Sequence, residues 1–388
     1  MTEWKSYKLA DVCSRIRSGK AISATSVSPN GKYAVVGGNG VRGYTEKSNF
    51  QGQCVVVGRQ GAYCGNVRYF NGEFYMTEHA VVIVGNEYAD THYLAYLLST
   101  MELGHLSAQS AQPGLSIQTL SKLEIYLPPL SQQQRIVNLL GALDHKIEIN
   151  RRINDNLEQQ AQALYKSWFV DFEPFKDGDF IDSEMGSIPR GWKIGKIKDI
   201  IDLLSGFPFK SSDFTKNGEY QLITIKGVQD GYLDVTSADR LSYLPSKMPH
   251  YCILKIGDIL ISLTGNVGRI CIVDRKDLLL NQRVAIVSPK NKRDSFYAYT
   301  MFRNDSFKNE LIHLARGTAQ LNLSPVETVD KLTIIPPDTI LEDFAKIGQD
   351  IFKQYVSTKM ENIKLCEMRD SLLPKLMSGE LKINEIDC

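Results

Sequence analysis

The chain repeats itself. "EWKSYKLADVCSRIRSGK" near the start resembles "GWKIGKIKDIIDLLSGFPFK" in the middle, with Trp4 against Trp192 at an offset of 188. "CGNVR" (Cys64 to Arg68) matches "TGNVGR" (Thr264 to Arg269), setting Gly65 against Gly265 at an offset of 200. "HAVVI" matches "RVAIV" through His79 and Arg283 at 204, and "AQPGLS" matches "AQLNLS" through Leu115 and Leu323 at 208. Pro128-Pro129 and Pro336-Pro337 also stand at 208. Such self-similarity marks a duplicated structural unit. The offset grows from 188 to 208, so the second copy carries 20 more residues in its loops.

After each proline pair comes a long helical pattern. The first has apolar residues at Ile136, Leu140, Leu143, Ile147, Leu157, Ala161, Leu164 and Trp168, in alternating steps of four and three. Asn150 and Asn154 interrupt it where the register calls for apolar side chains. The second has Phe344, Ile347, Ile351, Tyr355, Leu365, Leu372 and Leu376, and Pro374 is expected to end or kink it. These are heptad seams. A helix of roughly 37 residues spans about 55 Å, too long for the core of a small domain. Two such rods bury their seams against each other or against partner helices; the plainer reading is a helical hairpin that links domains. Before each helix the chain is β-rich, with runs such as "QCVVVGR", "AVVIVG", "DILISL" and "VAIVSP". Short helices fit "DTHYLAYLLSTMEL" and "DSFYAYTMFRNDSFKNELIHL".

The 388 residues exceed one ordinary domain, and 43% apolar with 23% charged residues indicates a well-packed globular protein. No apolar run approaches the ~18 to 20 residues of a membrane span, and the start lacks a signal-peptide core. A cytoplasmic location without membrane partners is expected. Seven scattered cysteines show no Cys-x-x-Cys pair and six histidines no His-Glu-x-x-His pattern, so reduced thiols and no metal site are expected. A net charge of +1 argues against indiscriminate coating of nucleic acid but allows local basic patches.

"VVGGNGVRGY" contains Gly38-x-Gly40-x-x-Gly43, the spacing of a dinucleotide fingerprint. That fingerprint needs a helix directly after it and an acidic residue about 20 positions on. The stretch from Tyr44 to Phe70 has no helical period, and position 58 is glycine. A turn-rich β segment fits better. Other enzyme signatures fail as well. "LPPL" and "IIPPD" lack the side chains an adenine methyltransferase needs to hold a flipped base. Pro337-Asp338 with "GELK" (Gly379 to Lys382) flanks a helix, where a nuclease motif would sit on adjacent strands. There is no Walker loop.

The glycine-bounded loops are rich in donors and planar side chains. The first copy has Asn39, Arg42, Tyr44, Arg59, Gln60, Asn66 and Arg68, then Gln109 and Gln112. The second has Lys210, Thr264, Asn266, Arg269, Asn281, Gln282, Arg283, Arg316, Thr318, Gln320 and Asn322. Arg, Asn and Gln read base edges by paired hydrogen bonds, while Lys, Ser, Thr and glycine-turn N–H groups hold phosphates. Any one of these residues could be ordinary loop polarity. The matched enrichment of both copies favours DNA binding.

The stretches "LPPLSQQQRIV", "ALYKSWFVDFEPF", "DSEMGSIPRGWK" and "LLPKLMSGELKI" resemble the specificity subunits of Type I restriction-modification systems over nearly the whole chain. "VVGGNGVRGY" with "GRQGAYCGNV" and "TEHAVV" is similar to one class of that family's target-recognition domains. The resemblance implies an α+β protein with two β-rich target-recognition domains, separated by two long antiparallel coiled-coil helices. The expected division is 1–130 and 191–337 for the domains, 131–170 and 338–378 for the helices, a linker at 171–190 and a tail at 379–388. It also implies a non-catalytic subunit that reads one half of a bipartite, asymmetric duplex DNA site with each domain. Two methyltransferase subunits, carrying S-adenosylmethionine, and restriction subunits using ATP and Mg2+ would be its partners, with no cofactor on this chain. Ile136, Leu140, Leu143, Ile147, Leu157, Leu164, Phe344, Ile347 and Ile351 are the candidate partner-binding residues.

Overall fold

The computed structural model describes residues 4–107, 114–317 and 320–383. It divides into two compact units, Met1–Ile147 with Leu365–Cys388, and Glu148–Lys364. Each unit therefore takes a part of each long helix, where a division along the sequence gives each helix its own segment.

In the first unit the strands are β1 (Lys5–Lys8), β2 (Cys13–Ser18), β3 (Tyr33–Gly37), β4 (Gly40–Thr45), β5 (Phe50–Gly58), β6 (Val67–Met76), β7 (Ala80–Gly85) and β8 (Glu124–Leu127). β1 and β8 pair antiparallel. The other six form one sheet in the order β2-β7-β5-β6-β3-β4, antiparallel except for β3 beside β6. Continuous apolar runs in β5 and β7 mean that both faces are covered. Val55, Val57, Val81 and Ile83 share a core with helix α1 (Thr91–Ser99), while Cys54, Val56 and Val82 lie in a second cluster with Val36 and Met76. Asp90 caps α1, its Oδ1 accepting from the N–H groups of His92 at 2.8 Å and Tyr93 at 2.9 Å. The short helix α2 (Ile117–Ser121) comes next, and then the long helix α3 (Leu130–Tyr165).

Gln133, on the first turns of α3, is fully buried. Its amide donates to the carbonyls of Tyr88 and Pro128, both at 2.9 Å, and its Oε1 accepts from the Asp90 N–H at 2.9 Å. One side chain thus ties the helix start to the α1 cap. Gln133→Ala would strand three backbone groups. It is expected to lower stability by about 1–3 kcal/mol, seen as a reduced urea midpoint at constant slope.

The second unit contains β9 (Phe180–Ser183), β10 (Gly186–Pro189), β11 (Lys193–Lys196), β12 (Ile201–Ser205), β13 (Tyr220–Ile223), β14 (Arg240–Leu241), β15 (Ile259–Ser262), β16 (Ile270–Ile272), β17 (Leu278–Leu280), β18 (Val284–Pro289) and β19 (Leu332–Ile335). Its sheets run β12-β18-β15-β16 and β14-β13-β17, with β11 paired to β19 as β1 is to β8. The stretch expected to be a linker holds the hairpin β9–β10, whose turn Ser183–Gly186 is closed by Gly186 at φ +96° and by Ser183 Oγ, which accepts from the Met185 N–H at 3.2 Å and donates to Gly186 O at 2.6 Å. The helices are α4 (Ser295–Arg303), α5 (Asp305–Leu314), α6 (Pro325–Val329) and α7 (Asp338–Ser378).

The heptad seams are present, with corrections. In the first unit Ile136 and Leu140 share a core with Leu372, Leu373 and Leu376, and Arg369 Nη1 donates to Asp144 Oδ1 at 2.8 Å. In the second unit Leu157, Ala161, Tyr165 and Phe169 pack in one core with Leu341, Phe344 and Tyr355. Within each unit partner numbers fall as α3 numbers rise, so the helices run antiparallel. Asn150 does face the seam, 1% exposed, donating to Glu361 Oε2 at 2.8 Å and Asn362 Oδ1 at 2.9 Å. A buried seam asparagine of this kind fixes register at some expense of stability.

One expectation about α7 fails. Ile347 is 48% exposed, whereas Gly348 sits in the seam, where a Cβ would come 1.8 Å from Phe296 Cδ1. The seam therefore runs Leu341, Phe344, Gly348, Ile351, Tyr355, Thr358, in strict steps of three and four. α7 runs through Pro374 and continues to Ser378. Burial of Leu376 and Met377, 0% and 5% exposed, offsets the hydrogen bond that the proline removes.

Candidate nucleic-acid interface

The glycines of the "VVGGNGVRGY" motif build a hairpin. β3 and β4 close between Gly37 and Gly40, and a strand stands where a dinucleotide site needs a helix. Gly40 has φ +102°, a conformation that favours glycine. A Cβ on Gly38 would come 3.0 Å from both Gly58 Cα and His79 O. The turn is thereby pressed onto the end of β5 and the β6–β7 turn.

This gathers much of the predicted set at one end of the sheet. Asn39 and Arg42 are exposed on the hairpin, and exposed Arg68 lies against Gly40. Arg59, half-buried, places Nη1 3.5 Å from Ser18 Oγ. Exposed Gln60 has its Oε1 3.1 Å from His79 Nδ1, and His79 Nε2 is 3.3 Å from Glu78 Oε1. Asn66 contributes its backbone carbonyl, which accepts from the Gly58 N–H at 2.8 Å. Tyr44 is exposed but pairs with Ala34, away from the turn. Gln109 and Gln112 lie outside the described residues.

In the second unit Thr264, Gln282, Arg283, Gln320 and Asn322 line a polar cleft of about 620 Å3. Gln282, Arg283 and Gln320 are exposed in it. Thr264 is 8% exposed and its hydroxyl donates to Asn322 Oδ1 at 2.9 Å, so it positions Asn322. Arg269 is turned to a neighbour, its Nη1 donating to Gln229 Oε1 at 2.6 Å. Arg316 forms an ion pair with Glu327 at 2.9 Å. Asn266 and Lys210 are exposed outside the cleft lining, the latter ahead of the turn Ser211–Asp213. Asn281 donates its N–H to Ile223 O at 3.1 Å. Thr318 lies outside the described residues.

The two ends share one backbone frame. Leu115 N–H donates to Arg59 O at 2.9 Å, and Leu323 N–H to Leu263 O at 2.7 Å. Arg59 N–H donates to His79 O at 3.1 Å, and Leu263 N–H to Arg283 O at 3.0 Å. Gln60 bridges Gly114 as Thr264 bridges Asn322. Gly65 N–H donates to Gly58 O at 2.8 Å, and Gly268 N–H to Ser262 O at 2.9 Å. These bonds correct the repeat register at one place. Gly61 (φ +73°) corresponds to Gly265 (φ +75°), and Gly65 (φ +84°) to Gly268 (φ +75°). The shared letters "GNV" align residues that occupy different backbone positions. His79 and Glu78 were missing from the sequence-based site. The 204 offset that matches His79 to Arg283 was the signal for them.

The predicted partner-binding residues are mostly spent internally. Ile136, Leu140, Ile147, Leu157 and Phe344 are at most 7% exposed, so they hold the chain's own core. Leu143, Leu164 and Ile351 are half-buried, and Ile347 faces outward. Burial pushes the thiols of Cys13, Cys54 and Cys271 up to about 12, which leaves them protonated and poor nucleophiles at neutral pH. No helix among the described residues is long and apolar enough to cross a membrane.

Two copies of a mixed β module, each presenting polar loops at a sheet end and each packed on part of a helix pair, define a class of duplicated recognition protein. The model of the Type I restriction modification DNA specificity domain matches residues 1–159 and 189–365, and the chain belongs to that family. Its function is accordingly of the DNA-sequence-recognition type. The MjaVIII specificity subunit of Methanocaldococcus jannaschii is 31% identical over 320 residues, covering 78% of this chain and 73% of the relative. The MjaIX specificity subunit of the same organism is 29% identical over 306 residues, 76% and 70% of the two chains. The HindI specificity subunit of Haemophilus influenzae is 27% identical over 329 residues, 69% and 71%. The crystal structure of a Type I S subunit from M. genitalium shares the fold, with a TM-score of 0.61 at 18% identity over 97% of this chain and 96% of that one.

Proposed function

We propose that this chain reads a bipartite, asymmetric DNA site, one half per unit, as the non-catalytic subunit of a restriction-modification complex. The observation that carries this reading is the common backbone frame dressed with different side chains. The first unit shows Arg59, Gln60, Glu78 and His79 where the second shows Leu263, Thr264, Gln282 and Arg283. A duplicated frame reads two segments, and unlike side chains make the segments unlike.

Two methyltransferase subunits dock on the outward faces of the long helices, whose exposed apolar residues include Ile149 at 38%, Ile347 at 48% and Met368 at 51%. Those partners bind S-adenosylmethionine and methylate adenine. Restriction subunits add an ATP- and Mg2+-dependent motor and nuclease. The chain alone is expected to leave DNA unmodified. Co-expressed with cognate methyltransferase subunits in a methylation-free host, it is expected to produce methylation at one bipartite motif, mapped by methylation-sensitive sequencing. Modification by the purified chain alone, or one contiguous motif, would overturn the proposal.

A further inference from the structure

We infer that the two residues at the turn entering β7 and β18 are specificity-determining, and that Arg283 reads a guanine in the half-site of the second unit. The inference deepens the function proposed above and rests on it. These residues are Glu78–His79 in the first unit and Gln282–Arg283 in the second. They share a backbone address, since His79 O and Arg283 O accept from equivalent N–H groups at 3.1 Å and 3.0 Å. The frame is held constant and the side chains change, which is what a variable reading position requires.

Three observations select Arg283. It lines the polar cleft with Gln282 and Gln320. It is exposed, and among the described residues its guanidinium has no hydrogen-bond or ion-pair partner, in contrast to Arg269 on Gln229 and Arg316 on Glu327. Its planar fork matches guanine O6 and N7, the commonest specific pairing in the major groove. The first unit has no fork at this address. His79 is held between Gln60 at 3.1 Å and Glu78 at 3.3 Å, and an imidazole cannot donate two parallel bonds to one base edge. The two half-sites therefore differ at the corresponding base pair.

An arginine at a cleft mouth can also hold a phosphate, and lysine separates the cases. Arg283→Lys keeps the charge and loses the fork. The full chain, assembled with its methyltransferase subunits, is tested against a library randomised in both half-sites. Arg283→Lys is expected to lose roughly 10- to 100-fold of guanine preference at one position of one half-site, leaving the other half-site unchanged. The double substitution Glu78→Gln with His79→Arg is expected to bring a guanine preference into the other half-site. If Arg283→Lys leaves every base preference intact, or weakens binding equally on all sequences, the assignment is overturned while the bipartite reading stands. If the unaltered complex shows no base preference in either half, the proposed function fails and this inference with it.

Discussion

One heptad inserted into each long helix is expected to change the spacer of the recognised site and to leave both half-site sequences as they were. Seven residues add about 10.5 Å of helix rise, close to 3 base pairs at 3.4 Å each. A heptad preserves the seam, because a 3.5-residue repeat returns each knob to its hole. The natural insertion points are after Ile147 in α3 and before Leu365 in α7, where the chain passes between its compact units. Three base pairs also turn the DNA by about a third of its repeat of 10 to 10.5 base pairs. That mismatch must be absorbed as duplex twist, so affinity is expected to fall as the spacer shifts. Methylation mapping of the extended chain with its partners reads both effects. An unchanged spacer would show that the helices do not set it. Altered half-sites would show that the two units do not read independently. Insertion into one helix alone misaligns the seam and is expected to prevent assembly.

Much of this architecture is legible in sequence because it rests on periodicity. The continuous apolar runs "CVVV" and "AVVIV" mark strands buried on both faces, and that is what β5 and β7 are. The seam of α3 is visible through its two asparagines, since Asn150 and Asn154 fall on register and are buried. α7 is harder to read. Its seam includes Gly348 and Thr358, and counting apolar residues alone moves the register to Ile347, one position off. The site divides in the same way. Glycine spacing located polar loops at the sheet ends, but the partners of individual polar side chains depend on contacts distant in sequence. Arg269 meets Gln229, and Thr264 meets Asn322, through folding that no local pattern encodes. The misaligned "GNV" shows the same limit, since three identical letters outweighed a one-residue change in loop length that hydrogen bonds expose.

Phe344→Ala is expected to cost about 3–5 kcal/mol, the range for deleting a fully buried aromatic side chain. Phe344 has no exposed surface, and its ring lies 4.7 Å from Phe169, 5.1 Å from Phe296 and 5.5 Å from Trp168, centroid to centroid. It joins α7, α4 and the π-type turn Lys166–Val170 that ends α3, so the cavity has rigid walls and little freedom to collapse. A domain's whole stability is about 5–15 kcal/mol. The substitution therefore threatens the second unit as a unit, lowering its melting temperature by roughly 6–20 °C at about 2–4 °C per kcal/mol. Ile347→Ala, three residues along on the exposed face, is expected to change stability by less than about 1 kcal/mol. Calorimetry of the full chain distinguishes the two, and equal losses would refute the register drawn through Gly348. Where Phe344→Ala still assembles at low temperature, it is expected to keep the wild-type half-sites. Phe344 is fully buried and is not among the predicted DNA-contacting residues, so its loss is expected to lower the folded fraction without changing what the folded fraction reads.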